Sequence, residues 1–413
     1  MGRYLALFRN RPFFFFWLGF SLSVTGDSMT QVALVWHVYS RTGSPEAVGL
    51  LNFLFIAPVV VGGILAGWLL DRFERKSVLV IDSLAKAMIV SLIPLLDALG
   101  LSELWHAYGV AATFGLLMMV PLAGVPAIIP SLVENEQLQT ANALEIVSYT
   151  LSGVIGAPIA GVLIGMIGSA NVLLVDGASY LLFALALTQV EMREPRAPPS
   201  TRHARSQGFG DALRLCLSNP VLKTTTLMFM AANLGFGALL VWLPVFAAAV
   251  PGGGPELYGY LSGAMAAGAA LSSALVGIVV LPLALGLLIC LTQALSGLSL
   301  LPLLLTNSLW IAFLVLFLVG VFRAPMTIWA QTLRMQIIPA EQRGRVFALL
   351  RMMMQSGTPL GGLGAGLALP IVGGTVLIGT VVLATATSGL LGVFCRPLRL
   401  AGSPQLGAGT ALR

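Results

Sequence analysis

Few side chains in this sequence can do chemistry, and those that can stand inside long apolar runs. Ser23, Asp27, Thr30 and Gln31 fall at i, i+4, i+7 and i+8, which lays one polar stripe along a helix. A carboxylate in that setting, such as Asp27, can take up a proton or meet a cationic molecule. Its plainer role is a hydrogen bond to a neighbouring helix. Asp82 and Lys86 are four apart and are expected to pair on one helix face, in a structural role. Glu145 opens another apolar run, where a carboxylate suits the positive helix end, with gating as the alternative. Arg323, with Pro325 just after it, can balance Asp27, bind an anionic group, or run its guanidinium out to the surface. Asp176 reads as structural, and Asn52, Asn233 and Gln293 are polar candidates for cavity or packing.

Other chemistries find no footing. His37, His106 and His203 have no metal-ligand spacing, and no nucleophile–base pair stands out. Cys216, Cys290 and Cys395 lie far apart in apolar or tail sequence, which suggests neither a disulfide framework nor a metal site. No Walker A loop is present; the run Gly362–Gly366 lies within an apolar stretch and reads as helix packing. No catalytic residue, metal or cofactor is expected.

The elements that must position these residues follow from composition. Of 413 residues, 57% are hydrophobic and 9% charged, against about 25% charged in an ordinary soluble domain. The mean hydropathy is +0.94. The chain reads as an all-α membrane protein, because the apolar runs are long and continuous where a β-barrel would alternate. A crossing takes about 20 residues, so twelve crossings use roughly 240 and leave room only for short loops. Apolar stretches recur at 12–39, 45–70, 77–99, 104–130, 141–166 and 169–190. After a polar segment they resume at 220–248, 257–280, 282–304, 308–333, 344–369 and 371–394. The boundary between the eighth and ninth is marked only by Pro282.

The division is thus a six-helix bundle over 1–190, a linker over 191–219, a second bundle over 220–395 and a tail over 396–413. Arg3, Arg9 and Arg11 precede the first run, which passes Asp27 without a small-residue cleavage site and so reads as a span. Nineteen of the 22 Lys and Arg residues fall in segments on the side of the N-terminus, and only Arg41 falls opposite. That asymmetry puts both termini and the linker in the cytoplasm. The net charge of +6 lies in short loops, as this rule requires, and not in a patch for nucleic acid.

The halves resemble each other. Asn10-Arg11-Pro12 before the first span answers to Ser218-Asn219-Pro220 before the seventh. Gly156, Pro158 and Gly161, with Gly165 beyond, answer to Gly357, Pro359 and Gly362, with Gly366 beyond. Both read G-x-P-x-x-G-x-x-x-G, and parallel repeats of six spans are a transporter architecture. Gly permits close helix contact and Pro permits bending, so these clusters are expected to act as hinges.

The loop Gly67-Trp68-Leu69-Leu70-Asp71-Arg72-Phe73-Glu74-Arg75-Lys76 resembles the signature G-x-x-x-D-R-x-G-R-R/K of the major facilitator superfamily, with Glu74 in place of Gly. The resemblance covers the whole chain. Gly26-Asp27-Ser28, Ala141-Asn142-Ala143-Leu144, Asp176-Gly177-Ala178-Ser179-Tyr180 and the stretch Pro339–Val346 resemble its bacterial branch of macrolide-efflux proteins and the enterobactin exporter. Membership implies twelve helices in two pseudo-symmetric bundles, with spans one, four, seven and ten around a central cavity.

It also implies a secondary active transporter working by alternating access, a monomer in the bacterial cytoplasmic membrane. The expected function is proton-coupled export of a small amphipathic molecule, drug-like or a siderophore. An importer or lipid flippase on the same fold is the alternative, and a receptor or enzyme is the alternative of another class. Asp27, Gln31, Glu145, Asn233 and Arg323 are the substrate and proton candidates. Gly67, Asp71, Arg72, Arg75 and Lys76, with Arg343 and Arg345, are the latch between halves. The sequence departs from the antiporter pattern in lacking an Arg on span four, in its reduced glycine signature on span five and in having no second latch between spans eight and nine. Arg323 is therefore expected to tune the proton-carrying acid from the other half, with Asp27, Glu145 or a bound anion as its partner.

Overall fold

The structure, a computed structural model, describes residues 7–190 and 209–403, apart from 277, 279–280, 307 and 340–342. Most of the linker, the end of the tail, and the side chains of the latch candidates Arg343 and Arg345 lie outside the described residues. All regular structure among the described residues is helical. Ten stretches are long and apolar enough to cross a membrane. One of them, Val346–Phe394, has 49 residues and breaks at Gly373, so it supplies two spans. The first helix, Arg11–Thr42, adds a span of 32 residues and brings the number to twelve.

In chain order, spans one to six are Arg11–Thr42, Pro45–Arg72, Arg75–Ala98, Leu104–Leu132, Leu138–Ile167 and Ser169–Gln189. A short helix, Phe209–Ser218, leads into span seven, Pro220–Ala249, and span eight, Pro255–Val276. Span nine is Leu285–Leu304 and span ten Leu309–Ile337. Arg343–Gln355 and Gly357–Phe394 hold spans eleven and twelve. The described helices of spans eight and nine are Pro255–Val276 and one beginning at Leu285, with Pro282 between them.

The repeat is visible at the helix ends. Asn10 Oδ1 accepts from the Phe13 N–H at 3.3 Å, and Asn219 Oδ1 accepts from Val221 and Leu222 at 3.0 and 3.1 Å. A side-chain cap of this kind satisfies backbone donors that the first turn leaves free. Gly168 (φ 84°, ψ 155°) turns the chain from span five to span six. Gly373 (φ 78°, ψ 164°) does the same from eleven to twelve. That region is open essentially to glycine alone, so both halves make this corner the same way. Inside span five, Ser152–Gly156 forms a π-helical turn just ahead of Pro158.

The contacts form two compact units. The first is Met1–Ser200 with Pro244–Gly263; the second is Thr201–Leu243 with Ala264–Arg413. Pro244–Gly263 stands after the linker, yet groups with the first unit because span five meets span eight backbone to backbone. A Cβ on Gly161 would lie 2.5 Å from the Pro255 carbonyl oxygen, and one on Gly259 2.5 Å from that of Ala157. Trp36 of span one stacks on Tyr258 nearby, with ring centroids 6.3 Å apart. The first unit's core joins Phe13, Phe16 and Phe20 of span one to Phe183 of span six. The second unit's core joins Met228, Phe229 and Ala232 of span seven to Ile289, Met326 and Ala330.

Candidate functional site

In the first unit the polar groups of spans one, three and six converge. Tyr180 donates its hydroxyl to Asp27 Oδ1. One helical turn further along span one, Thr30 donates to Asp176 Oδ2 at 2.5 Å. Ser179 donates to Asp176 Oδ1 at 2.9 Å. On span three, Lys86 Nζ lies 3.0 Å from Asp82 Oδ2, the expected pair four residues apart. The same ammonium sits over the Tyr180 ring at 5.7 Å and the Phe114 ring at 5.8 Å. Asp82, Lys86, Thr30, Asp176 and Tyr180 are all buried, and Asp82 Oδ1 has no hydrogen-bond partner.

This arrangement exists because small residues let the helices close. A Cβ on Gly26 would run into the Asp176 carboxylate, and one on Gly177 would lie 2.6 Å from Ser91 Oγ. The result is a chain of contacts from Asp82 through Lys86 and Tyr180 to Asp27, with Asp176 alongside. It holds three carboxylates and one ammonium. Buried charge of one sign without its counterpart is costly, so such a cluster is suited to taking up and releasing protons.

The sequence leaves Asp27 between a proton or substrate group and a hydrogen bond to a neighbouring helix. Two of the four stripe residues, Asp27 and Thr30, bond to span six, while Gln31 is half-buried. The Asp82–Lys86 pair, read as structural, is joined to Asp27 through Tyr180. Tyr180 and Ser179 were quoted only as part of a motif. Their signal was their spacing: 176, 179 and 180 share one face of span six. Glu145 is buried on span five, with the buried Tyr149 hydroxyl one turn on and unpartnered.

In the second unit, Arg323 Nη2 donates to Asn233 Oδ1 at 2.6 Å, and its guanidinium lies over the Phe236 ring at 4.0 Å. Asn233 Nδ2 in turn donates to the Met354 carbonyl at 2.8 Å, which fixes which end of the amide faces the guanidinium. The partner of Arg323 in its own unit is thus a neutral carbonyl oxygen held on span seven. Arg334, counted with the cytoplasmic charges, is 5% exposed and lies over the Phe229 ring at 4.7 Å. Its side chain packs against span seven within the second unit.

The hinge candidates sit at close crossings. Gly156 abuts Thr25 and Ser28 of span one, and Gly357 and Gly361 abut Met230 and Leu234 of span seven. Pro158 packs on Gly263, and Pro359 and Gly362 are buried. The stretch read as a loop from Gly67 is helical as far as Arg72, so Gly67 and Asp71 stand on the last turns of span two, where both are exposed. Arg72 lies over the Trp68 ring at 5.7 Å. Arg75 donates to the Ala127 carbonyl at 3.0 Å, and Lys76 to the Val190 carbonyl at 2.7 Å. Lys76 thus caps the end of span six, where a cation suits the helix dipole. Among the described residues, no three or more His, Cys, Asp or Glu gather to hold a metal.

The sequence pattern of the Major Facilitator Superfamily matches residues 16–362, and the chain belongs to that family. The relatives it matches are transporters. An uncharacterized MFS-type transporter of Sinorhizobium fredii is 29% identical over 245 residues, 59% of this chain and 60% of that one. The multidrug efflux pump Tap of Mycolicibacterium fortuitum is 25% identical over 215 residues, 50% of this chain and 53% of that one. The chain therefore spans only part of the length of these two relatives. The staphyloferrin A transporter of Staphylococcus aureus is 23% identical over 346 residues, 82% of this chain and 84% of that one.

Among solved structures, a POT family transporter in complex with a thioalcohol-conjugated peptide superposes with a TM-score of 0.71 at 12% identity, covering 94% of this chain and 96% of that one. An inward-facing bacterial homolog of the human lysosomal transporter Spinster gives 0.62 at 17% identity, covering 96% and 97%. At such identities these structures speak for the fold alone.

Proposed function

We propose that this transporter exports a small amphipathic molecule, drug-like or a siderophore, by alternating access coupled to protons. The observation that carries the reading is the bond from Tyr180 to Asp27 in a buried cluster of three carboxylates and one ammonium. Protons make up the missing positive charge, and Asp27, the half-buried member, is the one that exchanges them. Gln31, Glu145 and Asn233 line the path on spans one, five and seven, and Arg323 receives an anionic group. A relative that is a multidrug efflux pump supports the direction and a drug-like substrate, and another that is a siderophore transporter supports a siderophore.

In this reading the bundles are 1–190 and 220–395, joined by the linker 191–219, with 396–413 as a tail. Both termini lie in the cytoplasm of a bacterium, and the working unit is a monomer. Asp71, Arg72 and Arg75, with Arg343 and Arg345, latch the halves, and the Gly-Pro clusters at Gly156 and Gly357 bend during the cycle. The test is transport in everted membrane vesicles with a panel of dyes, macrolides and siderophores, with and without an imposed pH gradient. Gradient-dependent accumulation inside the vesicles supports the reading. Accumulation indifferent to the gradient would end proton coupling, and movement in the opposite direction would make the protein an importer.

A further inference from the structure

The membrane interior of the second unit carries positive charge only. Spans seven, nine, ten, eleven and twelve contain no Asp or Glu, while span ten carries Arg323 and Arg334. A guanidinium does not give up its proton, and a buried one needs an anion or a set of carbonyls around it. Arg323 presents a fork of five donors, of which Nη2 serves Asn233, and its flat face is taken by Phe236. Three turns further on, Arg334 leaves Nε and Nη2 without a partner although it is nearly buried. No acid within these spans can balance either group.

Arg323 also lines a cavity between spans seven, nine, ten and twelve, about 360 Å3 counting its open mouth. Its enclosed part is small and takes one polar end of a molecule whose remainder lies in the open mouth. Opposite Arg323 on span nine stands Gln293, which is fully buried. Its Nε2 donates to the Met228 carbonyl at 3.0 Å and to Ser388 Oγ at 2.5 Å. Those two bonds fix the amide, and its Oε1 is left as an acceptor with no partner. Ser296 and Thr385 complete the polar lining; the rest is apolar. An unmet buried acceptor is costly, so the cavity is one donor short on span nine.

We propose that this cavity binds the polar end of the substrate, and that this end is a hydroxycarboxylate. The carboxylate accepts from the Arg323 guanidinium, and the neighbouring hydroxyl donates to Gln293 Oε1. The same chemistry selects against an ammonium, which would lie beside a guanidinium with no carboxylate on spans seven, nine, ten, eleven or twelve to offset it. This inference rests on the transporter reading and adds the class of substrate to it. The apolar wall from Ala232, Leu239, Val319 and Met326 suits the carbon skeleton that carries the two groups.

The test is binding to the purified full-length protein, measured by titration calorimetry without any gradient. The probes are malate, succinate and sulfate, because malate differs from succinate by one hydroxyl. Malate should bind about fivefold or more tightly than succinate, and sulfate weakly or not at all. Asn233→Asp is the decisive variant. It is isosteric and places a carboxylate on Arg323 at the loss of the bond to the Met354 carbonyl, so, with its folding checked by the melting curve, it should lose malate affinity by at least about tenfold. Gln293→Leu, checked for folding by its melting curve, should bring malate down to the level of succinate. Equal binding of malate and succinate by wild type would overturn the hydroxyl assignment, and full malate affinity in Asn233→Asp would overturn the site. Gradient-driven efflux of a dye, followed in parallel, separates the two readings: efflux without malate binding ends this inference and leaves the proposed function standing.

Discussion

At the scale of single residues, what each buried polar group can do depends on the partner that meets it. The stripe Ser23, Asp27, Thr30 and Gln31 was visible from helical spacing. Spacing gives a face and not the neighbour that meets it, so the turn of Asp27 and Thr30 toward Tyr180 and Asp176 was not visible. For Asp82 and Lys86 the partner was legible because both stand on one helix, but the rings around the ammonium come from spans four and six. This makes a prediction. Lys86→Met alone leaves the Asp82 carboxylate buried and unpaired, and should cost about 3–5 kcal/mol, seen as a lower melting temperature and reduced folded yield. The double variant Asp82→Leu with Lys86→Met removes both charges and should recover most of that stability. It should still transport more slowly than wild type, since the ammonium no longer sits on the Tyr180 ring. Wild-type transport by the double variant would confine the pair to structure.

At the scale of helices, the glycines explain where the spans meet. The repeated G-x-P-x-x-G pattern was read as close packing, and the crossings at Gly156 and Gly357 have that form. The contact of span five with span eight was not legible, because Gly259 and Gly263 follow no repeat in the other half. Two substitutions on facing helices test the packing argument. A Cβ on Gly237 would meet the Thr358 carbonyl and lie 2.8 Å from Gly362 N, with no flexible side chain to give way. Gly237→Ala should therefore destabilise the protein by about 1–3 kcal/mol or more. Gly364 has open space around it. Gly364→Ala should be neutral or stabilising by up to about 1 kcal/mol, through the helix preference of alanine. Thermal melting of the two purified variants checks both, and equal effects would contradict the geometry.

At the scale of the whole molecule, twelve spans, two repeats and the loop after span two were legible because each is written in local composition. The burial of Arg334 was not, because a cation near the end of a span is usually drawn to water; here the Phe229 ring holds it back. The native thiols can report the orientation that the basic loops imply. Burial pushes the Cys216 thiol up on the helix Phe209–Ser218, so little of it is thiolate at neutral pH and its labelling should be slow, rising as pH is raised. Cys395 is partly exposed just past span twelve. A membrane-impermeant maleimide should label Cys395 in everted vesicles and leave it unlabelled in intact cells. Labelling from outside intact cells would reverse the orientation.

Proton coupling through Asp27 is the central claim, and one comparison tests it most directly. Everted vesicles carrying wild type or Asp27→Asn, matched for the amount of folded protein, are given the same pH gradient and an exported dye. The asparagine keeps the shape of the side chain and can still accept from Tyr180, but it cannot carry a proton. Wild type should accumulate the dye with the gradient and lose it when the gradient is collapsed, and Asp27→Asn should show no gradient-driven accumulation. Equal gradient-driven accumulation by the two proteins would contradict the account.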